Sequence, residues 1–270
     1  ILKQNYPHIK TLLSIGGWTW SNDFSDIYAD PDKRVAHCDS ILWYLENYDI
    51  DGIDIDWEYP GVQGEGDNVV RSCPGHEGDP VTGHWCDAEN FREFVNYCGP
   101  RLKQAEKLLT MALACDPHKY NDFVEPPTGE DPGEMDLDGM IDNIDWIDLM
   151  AYDMKGSWSP VTGHHAGLYA NDSEVDFFPD YPESEFNTAR CVEGYIANGV
   201  PAAKLTIGVP LYAHSWKGIE DITLLDPPVH VHGLFNTHTG VPTGTWDGGK
   251  WGNSGVFDYE DIVRNIMPGA

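Results

Sequence analysis

Positive charge is scarce in this sequence: 16 Lys and Arg stand against 45 Asp and Glu, a formal charge of −29 over 270 residues. A surface of that sign repels nucleic acid and anionic membrane and suits a neutral or cationic partner. No run of about 18 apolar residues occurs, so no membrane-spanning helix is expected. Ile1-Leu2-Lys3-Gln4-Asn5 shows no basic region leading into an apolar one, and no signal peptide is read there. The 6 cysteines contain no CxxC pair of the metal or redox kind. Cys73 and Cys86 bracket a Gly/Pro/His-rich loop that a disulfide would usefully close, whereas Cys73, His76, His84 and Cys86 fit no common zinc spacing. His164-His165 and His230-x-His232 likewise match no ligand pattern, so neither metal nor cofactor is expected. No glycine-rich phosphate fingerprint follows the first strand, which argues against a nucleotide site.

Aromatic residues are plentiful, with 10 Trp and 13 Tyr. In so acidic a chain they suit stacking platforms for an uncharged, ring-shaped ligand. The most informative stretch is Asp51-Gly52-Ile53-Asp54-Ile55-Asp56-Trp57-Glu58-Tyr59-Pro60. Read as a strand with period two, it sets Ile53, Ile55 and Trp57 on one face and Asp54, Asp56 and Glu58 on the other. Same-face neighbours lie roughly 6–7 Å apart, so the carboxylates feel one another and at least one pKa must rise. An edge strand with a solvated acidic face gains no packing from such a row, and a calcium loop built on Asp54 and Asp56 lacks the glycine and distant glutamate of an EF-hand. A catalytic carboxylate array explains the row better. Asp51 begins the strand off the acidic face and is read as structural.

Apolar strands alternate with amphipathic helices along the chain. Lys10–Ile15 is a strand ending at Gly16-Gly17, with Trp18 and Trp20 at its exit. A helix follows, with Asp30 as N-cap, Pro31 at its first position, and Val35, Cys38, Ile41, Leu42 and Leu45 at helical spacing. After the acidic strand come a long polar loop, a helix from about Ala88 to Lys107, a strand over Leu108–Ala114, a short helix near Asp136–Asn143, and a strand over Trp146–Asp153. A helix over Asn187–Asn198 and a strand over Leu205–Pro210 complete the alternation, which predicts a parallel α/β domain. Chemistry at the C-terminal strand ends suits a (β/α)8 barrel, with a doubly wound open sheet as the alternative. Turn-rich residues 216–256 read as a small α+β insertion after a barrel portion over 1–215, with residues 257–270 returning to a barrel helix.

Ser14-Ile15-Gly16-Gly17-Trp18, Asp51-x-x-Asp54-x-Asp56-x-Glu58, Met150-Ala151-Tyr152-Asp153 and Pro210-Leu211-Tyr212, in that order, resemble the family 18 chitinases of the glycoside hydrolases. The resemblance implies a TIM barrel of which this chain carries strands three to seven, together with a small insertion. It further implies retaining hydrolysis of β-1,4-linked N-acetylglucosamine polymers in which the sugar's own N-acetyl oxygen attacks the anomeric carbon. In that scheme Glu58 is the acid and then the base, Asp56 orients the acetamido group, Asp54 shares a proton with Asp56, and Tyr152 donates to the N-acetyl carbonyl. Met150 lines the acetyl methyl's site, Asp153 meets sugar hydroxyls or the acetamide, Trp18 stacks on a leaving-side sugar, and Tyr59 and Tyr212 line the walls. Trp20, Trp158 and Trp216 read equally as core aromatics or as sugar subsites. His214 departs from the arginine common at its position. The implied partner is chitin or its oligosaccharides, the implied setting extracellular, where the sequon Asn171-Asp172-Ser173 also fits, and the protein is read as a monomer. The same motif is shared by endo-β-N-acetylglucosaminidases acting on N-glycans and by chitin-binding lectins, although lectins of this fold typically lose the acid that Glu58 supplies here.

Overall fold

The structure, a computed structural model, describes residues 2–60, 82–116, 139–169, 186–219, 233, 236–247 and 254–267, with only the backbone of 82–86. The expected Cys73–Cys86 bridge, the Asn171 sequon and His230-x-His232 lie outside these residues. The chain forms two compact units, one of residues 1–149 with 192–207 and the other of residues 150–191 with 208–270.

The first unit is built on a parallel sheet in the order β1-β2-β3-β4-β5. Its strands are β1 (Leu12–Gly16), β2 (Gly52–Asp56), β3 (Leu108–Ala114), β4 (Trp146–Met150) and β5 (Leu205–Ile207). Sequential order with helical crossovers is what the alternating pattern predicts. A closed eight-stranded barrel is not what the described residues form: they give five strands in an open order. Three strands also stop short of their expected ends, because β4 gives way at Ala151 to a turning segment, β5 ends before Gly208 and Pro210, and β2 ends at Asp56. Pro210 has no backbone N–H with which to extend a ladder.

Helices α1 (Leu2–Asn5), α2 (Phe24–Ala29), α3 (Pro31–Asn47), α4 (Thr82–Gln104), α5 (Met140–Asn143) and α6 (Thr188–Ala197) follow in chain order. Asp30 caps α3 as expected, its carboxylate accepting from the N–H groups of Asp32 and Lys33 with Pro31 in the first turn. Cys38, Ile41 and Leu45 are buried on its inner face, while Val35 is exposed. Helix α4 begins earlier than the apolar spacing suggested and carries Pro100 in its interior. The core behind β2 is aromatic. Tyr28 stacks on Phe91 and Phe94, and Trp57 packs against Phe24, Tyr28 and Phe91. A disulfide joins Cys38 on α3 to Cys98 on α4 across a sequence separation of 60. A crosslink of that span removes chain entropy worth about 4 kcal/mol from the unfolded state.

The second unit contains the antiparallel pair β6 (Tyr212–His214) and β7 (Val256–Asp258), followed by α7 (Tyr259–Asp261) and a π-helical turn over Ile262–Ile266. Isolated bridges tie Val161 to Thr237 and Lys217 to Gly240. Asp247 gathers the N–H groups of Gly244 and Ser254 and the Ser254 hydroxyl, closing a tight loop ahead of β7.

Candidate active site

Strand β2 divides its side chains as the period-two reading requires. Ile53, Ile55 and Trp57 are buried against the helices, while Asp54, Asp56 and Glu58 are half-buried on the opposite face. Asp51, at the strand's start, is held by the Thr11 N–H and hydroxyl and by Lys3 and Lys10. Burial pushes its pKa up, but these donors and cations prevail and hold it at about 2. This is the structural role expected of it.

Register explains the setting of Asp54. Ser14 of β1 and Thr110 of β3 both lie opposite Asp54 in the parallel ladders. Their hydroxyls donate to separate carboxylate oxygens, Ser14 Oγ to Oδ2 at 2.7 Å and Thr110 Oγ1 to Oδ1 at 2.8 Å. Two donors leave this carboxylate little freedom to turn. Asp56 differs. Its Oδ1 is buried and has no hydrogen-bond partner among the described residues. Burial first, then the charges of Glu58 and Asp54, push its pKa up to about 7. Burial is the main cause of the rise at Asp56, the middle member of the row, and the crowding of like charges expected from the sequence adds to it.

At the end of β1 the backbone folds over Asp56. Gly16 has φ 111° and Gly17 φ 81°, and the Gly17 N–H donates to the Asp56 carbonyl at 2.7 Å. The turn exposes Trp18 by half and Trp20 almost fully, so Trp20 is no core aromatic. Ser21, which sequence reasoning did not single out, is buried and braces both strands: its hydroxyl donates to the Gly17 carbonyl at 2.8 Å and accepts from the Glu58 N–H at 2.9 Å. The Glu58–Tyr59 peptide bond is cis. Thus Asp54, Asp56, Glu58, Tyr59 and Trp18 all stand at or beside the C-terminal ends of β1 and β2.

The raised pKa of Asp56 carries a stability consequence. The folded state keeps its proton up to about pH 7, whereas an unfolded Asp releases it near pH 4. Between these limits the folded state binds more protons, so this group's contribution to stability falls as pH rises. Asp56→Asn removes the effect. Thermal scans are expected to show the variant stabilised relative to the parent by about 1–2 kcal/mol at pH 8, after allowance for partial exposure, with no gain at pH 4. Equal differences at both pH values would contradict the assignment.

In the second unit, Met150 and Tyr152 are half-buried and Asp153 takes a left-handed conformation, φ 57°. Asp153 Oδ1 accepts from the Tyr212 hydroxyl at 2.8 Å and lies 2.8 Å from His214 Nε2 and 3.5 Å from His165 Nδ1. Burial pushes the Asp153 pKa up, but the hydrogen bonds from His214 and Tyr212 outweigh it and hold the carboxyl below its ordinary value. Burial, aided by the charge of His214, lowers His165 to about 4. The Tyr152 and Tyr212 rings meet edge to face with centroids 6.2 Å apart. Tyr152, Asp153 and Tyr212 are therefore neighbours. His165 joins them, although its signal in the sequence was only one half of His164-His165. Trp158 is exposed with its ring edge against His214, and Trp216 donates through Nε1 to the Gly156 carbonyl.

Comparison with known proteins places this geometry in context. The model of the family described as "Glycosyl hydrolases family 18" matches residues 1–266. Chitinase A1 of Niallia circulans is 33% identical over 98% of this chain and 33% of its own length. Chitinase 1 of Aphanocladium album is 31% identical over 98% of this chain and 51% of its own length. Among solved structures, chitinase ChiA74 from Bacillus thuringiensis is 31% identical with a TM-score of 0.74, over 97% of this chain and 38% of that one. Ostrinia furnacalis Group IV chitinase, solved in complex with allosamidin, is 25% identical with a TM-score of 0.72, over 99% of this chain and 61% of that one. The chain thus spans between a third and about three fifths of the length of these relatives.

Proposed function

The chain belongs to glycosyl hydrolases family 18, and from that premise we propose that it hydrolyses β-1,4-linked N-acetylglucosamine polymers by retaining, substrate-assisted catalysis. The observation that carries this reading is the row Asp54, Asp56 and Glu58 on one face of β2, with the middle carboxyl held protonated to about pH 7 and its Oδ1 without a protein partner among the described residues. Three acids on one side of a strand suit a reaction in which the substrate supplies the nucleophile, since no second carboxylate need face the first across the ring.

The N-acetyl oxygen attacks the anomeric carbon as Glu58 protonates the departing glycosidic oxygen, and Glu58 then takes a proton from the water that opens the oxazolinium ring. Asp56 orients the acetamido group and, once ionised, stabilises the cationic intermediate. Asp54 stands beside Asp56 on the same face of β2, anchored by its two hydroxyl donors. Tyr152 donates to the N-acetyl carbonyl, Met150 packs on the acetyl methyl, and Asp153 meets sugar hydroxyls or the acetamide. Trp18, Tyr59 and Tyr212 offer faces to sugar rings. In this reading the five-stranded sheet is part of a (β/α)8 barrel, residues 216–256 are an insertion, and the protein works outside the cell as a monomer on chitin or its oligosaccharides.

The test is stereochemical. With a chitin tetramer as substrate, proton spectra recorded within the first turnovers are expected to show the β anomer at the new reducing end, relaxing later to the mixture. An α anomer appearing first would overturn substrate-assisted retention. Trimming of a glycoprotein N-glycan with no release of chitobiose would instead favour the endo-β-N-acetylglucosaminidase reading.

A further inference from the structure

Three side chains in the second unit, drawn from separate segments, converge on a point that hydrolysis does not require them to share. They are Asp153 beyond β4, His165 twelve residues later, and His214 on β6. We propose that Asp153, His165 and His214 form a site for a borderline divalent transition-metal ion of the Zn2+ class.

Donor spacing is the first support. His214 Nε2 lies 2.8 Å and His165 Nδ1 3.5 Å from Asp153 Oδ1, and one ligand atom from each of the three residues falls within 4.8 Å of the others. Ligands bound at about 2.1 Å to one ion sit roughly 3.0–3.4 Å apart, from octahedral to tetrahedral geometry. Closing the ring of donors around an ion therefore takes small side-chain adjustments and no backbone movement.

The state of the ring nitrogens is the second support. The Asp153 N–H donates to His165 Nδ1 at 3.2 Å, so Nδ1 is the unprotonated nitrogen, the ring proton sits on Nε2, and an ion would take over the Nδ1 lone pair from this single backbone N–H. His214 Nδ1 is buried with no hydrogen-bond partner among the described residues. Shifting the His214 proton from Nε2 to Nδ1 therefore breaks no bond at Nδ1 and turns an Nε2 lone pair into the cluster.

The cluster is also open to solvent on one side and braced by a neighbouring hydroxyl. The imidazoles are walled in, at 6% and 14% side-chain exposure, whereas the Asp153 carboxylate is 46% exposed, which leaves an entry path and room for water as a further ligand. The Tyr212 hydroxyl on Oδ1 orients the carboxylate from outside the donor set. Two imidazoles and one carboxylate suit Zn2+, Fe2+ or Co2+ and disfavour Ca2+ or Mg2+, which take oxygen ligands.

The test uses the intact protein and Zn2+ alone, and is read independently of hydrolysis. Calorimetric titration is expected to give a micromolar site, and long-range proton–nitrogen spectra of the unmutated protein are expected to show His165 Nδ1 and His214 Nε2 shifting together as it fills. His165→Asn and His214→Asn should each weaken that site at least about tenfold, since even loss of a group that only orients a ligand costs 10–100-fold. If neither ring nitrogen moves at millimolar Zn2+, or if the double variant binds as the parent does, the cluster is a hydrogen-bonded network and the proposal fails. The unmutated spectra decide the matter even where a variant does not fold.

Discussion

Replacing Glu58 with Gln is expected to lower kcat on chitin oligomers by about two to four orders of magnitude while leaving KM within a few-fold. The amide keeps the size and planarity of the carboxyl but cannot deliver a proton to a glycosidic oxygen. The backbone at this position is tied by its own N–H to the buried Ser21 hydroxyl at 2.9 Å, an anchor the substitution does not touch, so the loss reports on chemistry more than on folding. A second readout comes from Asp56, whose pKa of about 7 owes part of its elevation to the Glu58 charge. In the variant that carboxyl should ionise at lower pH, a change visible by carboxyl carbon NMR. A rate within tenfold of the parent would remove Glu58 from the role of general acid.

Gly16→Ala is the second large effect. A Cβ at this position would lie 2.0 Å from the Asp56 carbonyl oxygen and 2.7 Å from Phe24 Cε2, and the residue sits at φ 111°. The Phe24 ring is packed against Tyr28 and Trp57 and has little room to yield. An unfavourable backbone conformation costs about 1–3 kcal/mol and steric overpacking about as much again, so a destabilisation of about 2–6 kcal/mol is expected in denaturant titration. If the variant folds, relief comes by pushing β1 away from Asp56, and hydrolysis should fall with stability. Gly17→Ala serves as the contrast, because its Cβ would meet only Asp56 Oδ2 at 3.7 Å, an ordinary contact, and its φ of 81° leaves conformational strain alone. Equal losses in the two variants would show that the close approach at Gly16 is unimportant.

The parts of the fold most legible in the sequence were those governed by local periodicity. Strand β3 occupies Leu108–Ala114 as read, since a stretch favourable to burial begins directly after Lys107. The Asp30 cap and Pro31 placed the start of α3, because capping is chemistry between residues adjacent in the chain. The division of β2 into apolar and acidic faces followed from the same rule. What depended on partners distant in sequence was not visible. Thr110 and Ser14 reach Asp54 only because three strands align in parallel register, and a threonine or serine within an apolar strand gives no sign of its partner beforehand. Ser21 lies in a turn whose course is set by Gly16 and Gly17. The Asp153, His165 and His214 cluster escaped motif reading for a related reason: ligand patterns are recognised when donors repeat at short spacing, and these arrive from three segments. The barrel assignment rested on chemistry at the C-terminal strand ends and on family resemblance, with five of its strands expected in this chain, and the described strands form an open five-stranded order.

The pair of hydroxyl bonds on Asp54 ties reactivity to strand alignment. Side chains alternate between faces, so inserting or deleting a single residue within β1 or β3 would turn Ser14 or Thr110 toward the helices and cut one of the two anchors. Segments joining the strands carry no such constraint, because their length does not alter which residues face Asp54. Outside the turns that carry Trp18, Ser21, Glu58, Tyr59, Tyr152 and Asp153, loops can therefore lengthen, shorten or be exchanged with little chemical penalty. Insertions and deletions inside these two strands should be purged, so the permitted paths of divergence are written in the hydrogen-bond ladder itself.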